Sequence, residues 1–187
     1  MKQLWRPGNM LYPCPVVMAT VATPDGRDNI ITLAWTGTIS SSPAMAYISV
    51  RPERYSYQFI KDTGEFVINL VTEDLVRACD YCGVKSGKDI DKFKEAGLTK
   101  EAAVHVGAPL IAESPVNIEC RVKEIRDYGS HHMFAAEVLA VHADDRYMDD
   151  KGRLDLDAAN LVAYSHGEYK ALGRTLGTFG YSVRKKK

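Results

Sequence analysis

The chain has 187 residues, of which 45% are hydrophobic; this is enough for one domain with its own core and excludes a disordered or fibrous protein. Its 24 Lys and Arg residues equal its 24 Asp and Glu residues, so the formal net charge is zero, which argues against nucleic acid as the main partner. No apolar run reaches the length of a membrane-spanning helix, and residues 1–15 lack the features of a signal peptide, so no membrane partner is expected.

The first half of the chain is predicted to alternate short strands and helices. The predicted strands cover residues 16–23, 29–36, 44–50 and 66–70, and the first two are expected to form a hairpin around the turn Pro24-Asp25-Gly26. Pro52 stops the third strand because proline cannot donate to a ladder. The predicted helices cover residues 55–63 before Gly64, 72 or 73 to about 82, and 90–95 before Gly97.

The second half is predicted to be rich in strands. Residues 116–126 alternate in polarity with one slip, which indicates either a bulge or a change of face, and residues 133–141 form the next strand after a turn at 128–130. An acidic loop over 147–157 and a glycine-punctuated tail follow, and the basic run Arg184 to Lys187 is interpreted as a frayed, solvated end. Six or more strands with two or three short helices predict a mainly β (α+β) antiparallel barrel with helical insertions.

Arg51, Arg54 and Ser56 form a candidate anion site. The chain has neither a nucleotide-hydrolase phosphate loop nor a GxGxxG motif after a strand, so a phosphate must be held by side chains and local amides. Arginine suits phosphate oxygens, and a Ser56 cap would place amides and a helix dipole beside it. The alternative is a pair of surface arginines beside a capped helix.

Trp35 and the hydroxyls that follow it form a second candidate. Period two would place Thr36, Thr38 and Ser40 on one face of a regular strand, where they could line a polar ligand or face solvent. Trp35 is either a packing residue or a stacking surface for that ligand.

The cysteines and histidines leave several interpretations open. Cys79 and Cys82 have the CxxC spacing of a redox pair or half a zinc site, but no second CxxC follows, so unlinked thiols are favoured and no metal is predicted. Four cysteines are few for a secreted scaffold, which indicates a cytoplasmic location. His131 and His132 should point to opposite faces, and an inward His131, the candidate catalytic residue, could donate a hydrogen bond or proton to a ligand.

Six segments in order resemble the flavin reductase-like family of FMN-binding split barrels, and within it the flavoredoxins. They are residues 12–16, 29–42, 48–56, 66–70, 82–93 and 137–141, followed by the tail from Tyr169 to Gly180. The resemblance implies one split-barrel domain over residues 1–187, with Greek-key character, and non-covalent FMN in a homodimer. It also implies a set of FMN-binding residues: Asn29, Trp35, Thr36, Thr38, Arg51, Arg54, Ser56, Ser86, Lys92, His131 and Tyr164.

Two positions depart from the family pattern, since members often carry threonine at Ser56 and phenylalanine at Tyr164. Serine keeps the hydroxyl, whereas the added phenol of tyrosine needs a partner. The resemblance implies an FMN-dependent oxidoreductase that takes electrons from NAD(P)H or a redox partner protein. The alternatives are a flavoredoxin-type electron carrier without small-substrate turnover, and a thiol or metal module built on the CxxC. The sequence specifies neither the electron donor nor the acceptor.

Overall fold

The computed structural model describes residues 1–184, so the last three residues of the predicted basic tail, Lys185 to Lys187, lie outside it. The strands in chain order are β1 (Cys14–Pro15), β2 (Val17–Ala22), β3 (Asp28–Leu33), β4 (Thr36–Ser41), β5 (Ala44–Val50), β6 (Glu65–Leu70), β7 (Lys100–Glu101), β8 (Leu110–Ile111), β9 (Val116–Asp127), β10 (His132–Ala143), β11 (Val162–Ser165) and β12 (Glu168–Ala171). The α-helices are α1 (Tyr55–Thr63), α2 (Val76–Val84) and α3 (Lys92–Ala96), and two 3₁₀ turns cover Asp145–Tyr147 and Tyr181–Val183.

Seven antiparallel strands form the main sheet in the order β3-β2-β6-β9-β10-β5-β4. Only Ala34 and Trp35 connect the two edge strands, β3 and β4, and the Ser49 amide donates to the Trp35 carbonyl at 2.8 Å. Because only two residues join the two edge strands, the sheet must curl so that its edges approach each other. Among the described residues β3 pairs only with β2 and β4 only with β5, so the barrel remains split between its two edges. The mainly β split barrel predicted from the sequence is confirmed.

Two apolar clusters hold the barrel and its helices together. The barrel interior contains Ile48, Phe66 and Phe134, each fully buried, and α1 covers one end with Phe59 and Ile60. The second cluster lies between the opposite face of the sheet and helices α2 and α3. Since β2 is buried on both faces, its residues are apolar, apart from the buried Thr20, rather than alternating in polarity.

Several predicted boundaries match the structure. The strand over 44–50 and the helix over 55–63 have the predicted bounds, and Gly64 ends that helix with a φ of 69° that favours glycine. The bulge inferred from the slip in residues 116–126 is present, because the β9–β10 pairing skips Lys123 between Val122 and Glu124. No helix among residues 1–184 is long and apolar enough to cross a membrane.

Three predicted boundaries are wrong. The second strand ends at Leu33 rather than at residue 36, because the chain turns there to the other edge of the sheet. The second helix begins at Val76, since Thr72 forms a β-bridge with Leu161 instead of a cap. The third begins at Lys92 because Asp91 caps it, its carboxylate accepting from the Lys94 amide at 3.2 Å.

A fully buried carboxylate, Glu119 on β9, fixes the loop that precedes β8. It accepts hydrogen bonds from the Val104 amide at 2.8 Å and the His105 amide at 2.6 Å, and pairs with the His142 ring at 2.6 Å. Burial alone would raise the pKa of Glu119, but these donors together hold it below its ordinary value. Glu119 is therefore a charged structural residue.

Candidate functional site

Three adjoining pockets follow the outer edge of β3. The basic pocket, about 340 Å³, is lined by Asn29, Ile31, residues 53–56, residues 82–87 and Lys92. The tryptophan pocket, about 180 Å³, is lined by residues 31–35, Ser49, Arg51, Arg54 and His131. The N-terminal pocket, about 620 Å³, is lined by residues 8–15, residues 34–36 and Tyr47. The first two share Ile31 and Arg54, so a single elongated ligand could occupy both.

Lys92 places a buried ammonium in the basic pocket. Its side chain is 5% exposed, and its Nζ donates to the carbonyls of Ile30 and Cys82, each at 2.6 Å. An ammonium has three donors, so one N–H is left for a ligand. Burial, together with a smaller effect of the nearby Arg54 charge, lowers the pKa of Lys92 to about 8, so an anion in the pocket would stabilise the protonated form.

Helix α1 supplies backbone donors to the same pocket. The Tyr57 amide donates to the Arg54 carbonyl at 2.9 Å, but within residues 1–184 the Tyr55 and Ser56 amides have no hydrogen-bond partner. Free amides at the positive end of a helix dipole bind anions. Arg54, which is exposed and forms no salt bridge with any other described residue, adds a full charge beside them.

Ser56 is not the helix cap that the sequence predicted. Arg54 occupies the cap position, without a side-chain capping bond, and Ser56 is the second residue of the helix, with 1% exposure. Its hydroxyl oxygen accepts from the side-chain Nδ2 of Asn29 at 2.8 Å, which leaves its O–H as a donor. The serine is therefore positioned by β3 and belongs to the pocket wall.

The Ser86-Gly87 turn closes the basic pocket opposite α1. A Cβ added at Gly87 would lie 1.9 Å from the Asn29 Oδ1, so only glycine lets this turn approach β3 so closely. Within the described chain, the Ser86 and Gly87 amides form no hydrogen bonds. The pocket thus combines backbone donors on two sides with the Lys92 and Arg54 charges, a donor set suited to a phosphate.

Trp35 and His131 form the wall of the tryptophan pocket. Their rings lie 4.4 Å apart, centroid to centroid, with an interplanar angle of 42°. Burial lowers the pKa of His131, and the Arg51 charge lowers it further, so the ring is neutral at neutral pH. Arg51 is itself paired with Glu53 at 2.7 Å, which makes Arg54 the freer of the two predicted arginines.

His132 points to the opposite face from His131, as the strand period predicts. Its Nδ1 lies 2.8 Å from the Tyr57 hydroxyl inside the barrel, whereas His131 packs on Trp35 outside it. The inward histidine is therefore His132, and the inward orientation considered for His131 is wrong.

Three predicted site residues lie outside the basic and tryptophan pockets. Thr36 lines the N-terminal pocket, and its hydroxyl donates to the Tyr47 carbonyl at 2.6 Å. Thr38 is exposed, and a register shift between Thr38 and Ser40 breaks the alternation, so the prediction of a shared hydroxyl face is wrong. Tyr164 lies on β11, with its ring 5.6 Å from that of Tyr169.

Nine of the predicted ligand-binding positions line at least one of the three pockets. Asn29, Ser56, Ser86 and Lys92 line the basic pocket, Trp35, Arg51 and His131 the tryptophan pocket, Arg54 both, and Thr36 the N-terminal pocket. The residues that sequence reasoning missed are Gly87, Lys85 and the free amide of Tyr55. A Ser-Gly pair predicts a turn, but its contact with Asn29, 58 positions away, has no local sequence signal.

All four cysteines are free thiols in the structure. Burial raises the pKa of Cys79 to about 12 and that of Cys82 to about 11, so both are protonated at neutral pH. Cys82 borders the basic pocket through its carbonyl contact with Lys92. Among the residues that the structure describes, no cluster of three or more His, Cys, Asp or Glu side chains could hold a metal ion.

The family model for the flavin reductase like domain matches residues 9–173, so the chain belongs to that family. The structure is similar to the flavoredoxin of Desulfovibrio vulgaris (Miyazaki F), with a TM-score of 0.91 and 30% identity over 98% of this chain and 100% of that one. It is also similar to a flavoredoxin from Methanosarcina acetivorans, with a TM-score of 0.88 and 25% identity over 98% and 100% of the two chains.

The similarity extends to curated sequences. An uncharacterized protein of Archaeoglobus fulgidus is 31% identical over 161 residues, which cover 86% of this chain and 90% of that protein. The resemblance to flavin reductase-like proteins and flavoredoxins is thus confirmed, and a flavin is the cofactor that the family implies.

Proposed function

We propose that the protein binds FMN non-covalently and acts as an FMN-dependent oxidoreductase, passing electrons from NAD(P)H or a protein reductant to an acceptor. The observation that carries the proposal is the basic pocket, which joins the buried Lys92, the free Arg54 and the open end of α1 directly to an aromatic pocket. FMN likewise has a phosphate at one end, which matches the basic pocket, and a planar ring at the other, which matches the aromatic pocket. The donor set therefore fits the cofactor.

The phosphate belongs in the basic pocket. The amides of Tyr55 and Ser56, the third N–H of Lys92 and the guanidinium of Arg54 would share its oxygens, with Ser86 and Gly87 on the other side. Asn29 and Ser56, whose side chains are hydrogen-bonded to each other, would lie between the phosphate and the ring. This assignment favours FMN over riboflavin, which lacks the phosphate.

The ring belongs beside Trp35 and His131. Bound FMN supplies the redox chemistry that amino-acid side chains lack. Trp35 provides an apolar aromatic surface that excludes water on one side, and the neutral His131 ring can donate a hydrogen bond or accept one. The Arg51 and Arg54 charges, both in this pocket, would stabilise negative charge that develops near it.

A second candidate function is electron transfer by a carrier with no turnover on a free small substrate. Similarity to two proteins named flavoredoxin, over nearly the whole chain, favours it. Anaerobic mixing of the FMN-loaded protein with NADH and, separately, NADPH distinguishes the two. Bleaching of the visible flavin absorbance within seconds supports the reductase, whereas no bleaching with either nicotinamide, together with reduction by a protein donor, supports the carrier.

The phosphate assignment is tested by Arg54→Ala. Loss of one charge-assisted hydrogen bond should weaken FMN binding by roughly 10- to 100-fold and leave riboflavin binding almost unchanged. Arg153→Ala is a suitable control, because Arg153 is 87% exposed on a distant loop. Equal losses for the two flavins would place the phosphate elsewhere, and a protein that binds neither flavin would refute the function itself.

The organisation of the protein completes the proposal. We infer a homodimer and one split-barrel domain over residues 1–187, as the resemblance implies. A cytoplasmic location agrees with four unlinked thiols, which persist in a reducing compartment.

A further inference from the structure

The first turn of α1 carries the free amides of the basic pocket, yet within the described chain no side chain caps it. Arg54, at the cap position, forms no side-chain capping bond, and the first turn contains no acidic residue. Helix ends without a cap fray easily, because their first amides have no partner within the helix. A capping side chain would satisfy those amides, but it would also occupy the donors that a phosphate needs. The turn is therefore held by contacts of another kind.

Two consecutive residues of this turn are attached to two different strands of the barrel. The Ser56 hydroxyl accepts from the side-chain Nδ2 of Asn29 on β3 at 2.8 Å, beside the basic pocket. Tyr57 points into the barrel, where it is buried, and its hydroxyl lies 2.8 Å from the Nδ1 of His132, the first residue of β10. The Tyr57 ring also packs edge-on against the rings of His132 and Phe134. Side-chain bonds to β3 and β10 thus replace a cap.

His132 is a rigid anchor because its strand is paired on both sides. It lies opposite Val50 of β5 and opposite Asp127 of β9. Its Nε2 lies 3.4 Å from the Asp127 Oδ1, and an ionised carboxylate can only accept hydrogen bonds. A proton on Nε2 faces that carboxylate and leaves Nδ1 as an acceptor, so the Tyr57 O–H donates to Nδ1. The same carboxylate accepts from the Gly129 amide at 2.6 Å, which fixes its own position.

We propose that His132 is a positioning residue for the flavin phosphate, which acts through Tyr57 on the free amides of Tyr55 and Ser56. This rests on the proposed FMN-binding function and adds the residue that aims its backbone donors. Among the described residues, those lining the three pockets do not include His132, so it acts through α1 and not by contact with the ligand. Hydrogen bonds weaken steeply with misalignment, so a displaced first turn loses affinity for the phosphate and not for the ring.

The first test measures the dissociation constants of FMN and riboflavin by fluorescence titration. Tyr57→Phe removes the hydroxyl and keeps the ring, and it should weaken FMN binding about five- to tenfold with little effect on riboflavin. His132→Leu should do the same, and the double variant should lose no more than either single variant, because both residues act through one bond. His132→Asn, whose amide can take the place of Nδ1, should restore most of the FMN affinity.

A matched control removes a different tyrosine hydroxyl that is also hydrogen-bonded. Tyr169→Phe deletes the hydroxyl that donates to Asp80 on α2 at 3.1 Å, and it should leave the ratio of FMN to riboflavin affinity unchanged. Equal losses for the two flavins in Tyr57→Phe would overturn the proposal. So would additive losses in the double variant, or a His132→Asn variant as weak as His132→Leu.

Hydrogen exchange of the flavin-free protein measures the anchoring without any ligand. In Tyr57→Phe and His132→Leu the amides of α1 should exchange at least about threefold faster than in the wild type, while those of α2 keep their rates. Unchanged exchange in α1 would overturn the anchoring role. A wild type that binds FMN no more tightly than riboflavin would refute the phosphate assignment and this proposal together. A wild type that prefers FMN, with variants that keep the preference, would overturn this proposal alone.

Discussion

Lys92 should make FMN binding depend on pH, with a sign that follows from its burial. The pKa of its ammonium is about 8 in the folded protein against an ordinary value of 10.5. Between pH 8 and 10.5 the unfolded chain binds more protons than the folded one, so the unliganded protein gains stability as pH rises through this window. The lowered pKa corresponds to at most about 3 kcal/mol of destabilisation at pH 7.

A bound phosphate would reverse this shift. If the complex restores the pKa of Lys92 to its ordinary value, FMN affinity is constant below pH 8 and falls by up to tenfold per pH unit above it, at most about 300-fold in total. The assay is titration of flavin fluorescence between pH 6.5 and 10. Lys92→Met should bind FMN more weakly at pH 7 and lose this pH dependence.

Two controls isolate the effect. Lys85→Met removes the exposed lysine that lines the same pocket and should keep the pH dependence, and riboflavin should show little of it with the wild type. Because Lys92→Met leaves the Ile30 and Cys82 carbonyls without their donor, its folding should be verified by thermal unfolding. A parallel loss of affinity with pH in wild type and Lys92→Met would refute the reasoning.

Three further predictions test other parts of the structure. Gly87→Ala should displace the Asn29 side chain and weaken FMN binding about tenfold or more in fluorescence titrations, whereas Gly173→Ala, whose Cβ would meet no atom within 4 Å, should have no effect. Trp35→Ala should weaken FMN and riboflavin equally, by up to about tenfold, because it removes a ring contact; a loss confined to FMN would contradict its placement. The pKa of Glu119 is lowered, so the stability that its charge contributes is present above about pH 4.3 and is lost as the pH falls. Glu119→Gln should lower the melting temperature at pH 7 and make the melting temperature depend less on pH toward acid. An unchanged pH profile of the melting temperature would exclude this role.

The sequence predicts the elements well where local chemistry alone determines them. Pro52 and Gly64 delimit β5 and α1, and both elements have the predicted bounds because these residues restrict the backbone regardless of what surrounds them. The end of β3 was predicted wrongly, because Ala34 and Trp35 continue the apolar pattern and only the closure of the barrel bends them. Local signals could not indicate that closure.

The same distinction applies to the site. Arg54 and Ser56 adjoin a helix start that the sequence shows, so their proximity to one another was predictable. The capping role predicted for Ser56 was wrong, since its hydroxyl is held by Asn29, 27 positions earlier, through the packing of α1 on β3. Lys92 has no local feature that indicates its burial; its donors meet carbonyls of Ile30 and Cys82 only because α2 and α3 cover the outer face of β3. The resemblance to a family, rather than residue chemistry, identified Lys92.

The start of β10 connects the two ends of the proposed flavin site. His131 packs on Trp35 outside the barrel, while its neighbour His132 binds the Tyr57 hydroxyl inside it, one residue beyond Ser56 on α1. The helix end that would hold the phosphate and the aromatic wall that would hold the ring are therefore both contacted by consecutive residues, His132 at the start of β10 and His131 directly before it. The two side chains point to opposite faces, so one contacts the helix inside the barrel and the other contacts the aromatic wall outside it. The distance between the proposed phosphate and ring subsites is therefore set by the barrel and not by a loop. A ligand whose anionic group and ring have that separation can contact both subsites at once, and little binding free energy is lost in ordering the protein. Ligands with another separation contact only one subsite, which is the physical basis for selecting one cofactor.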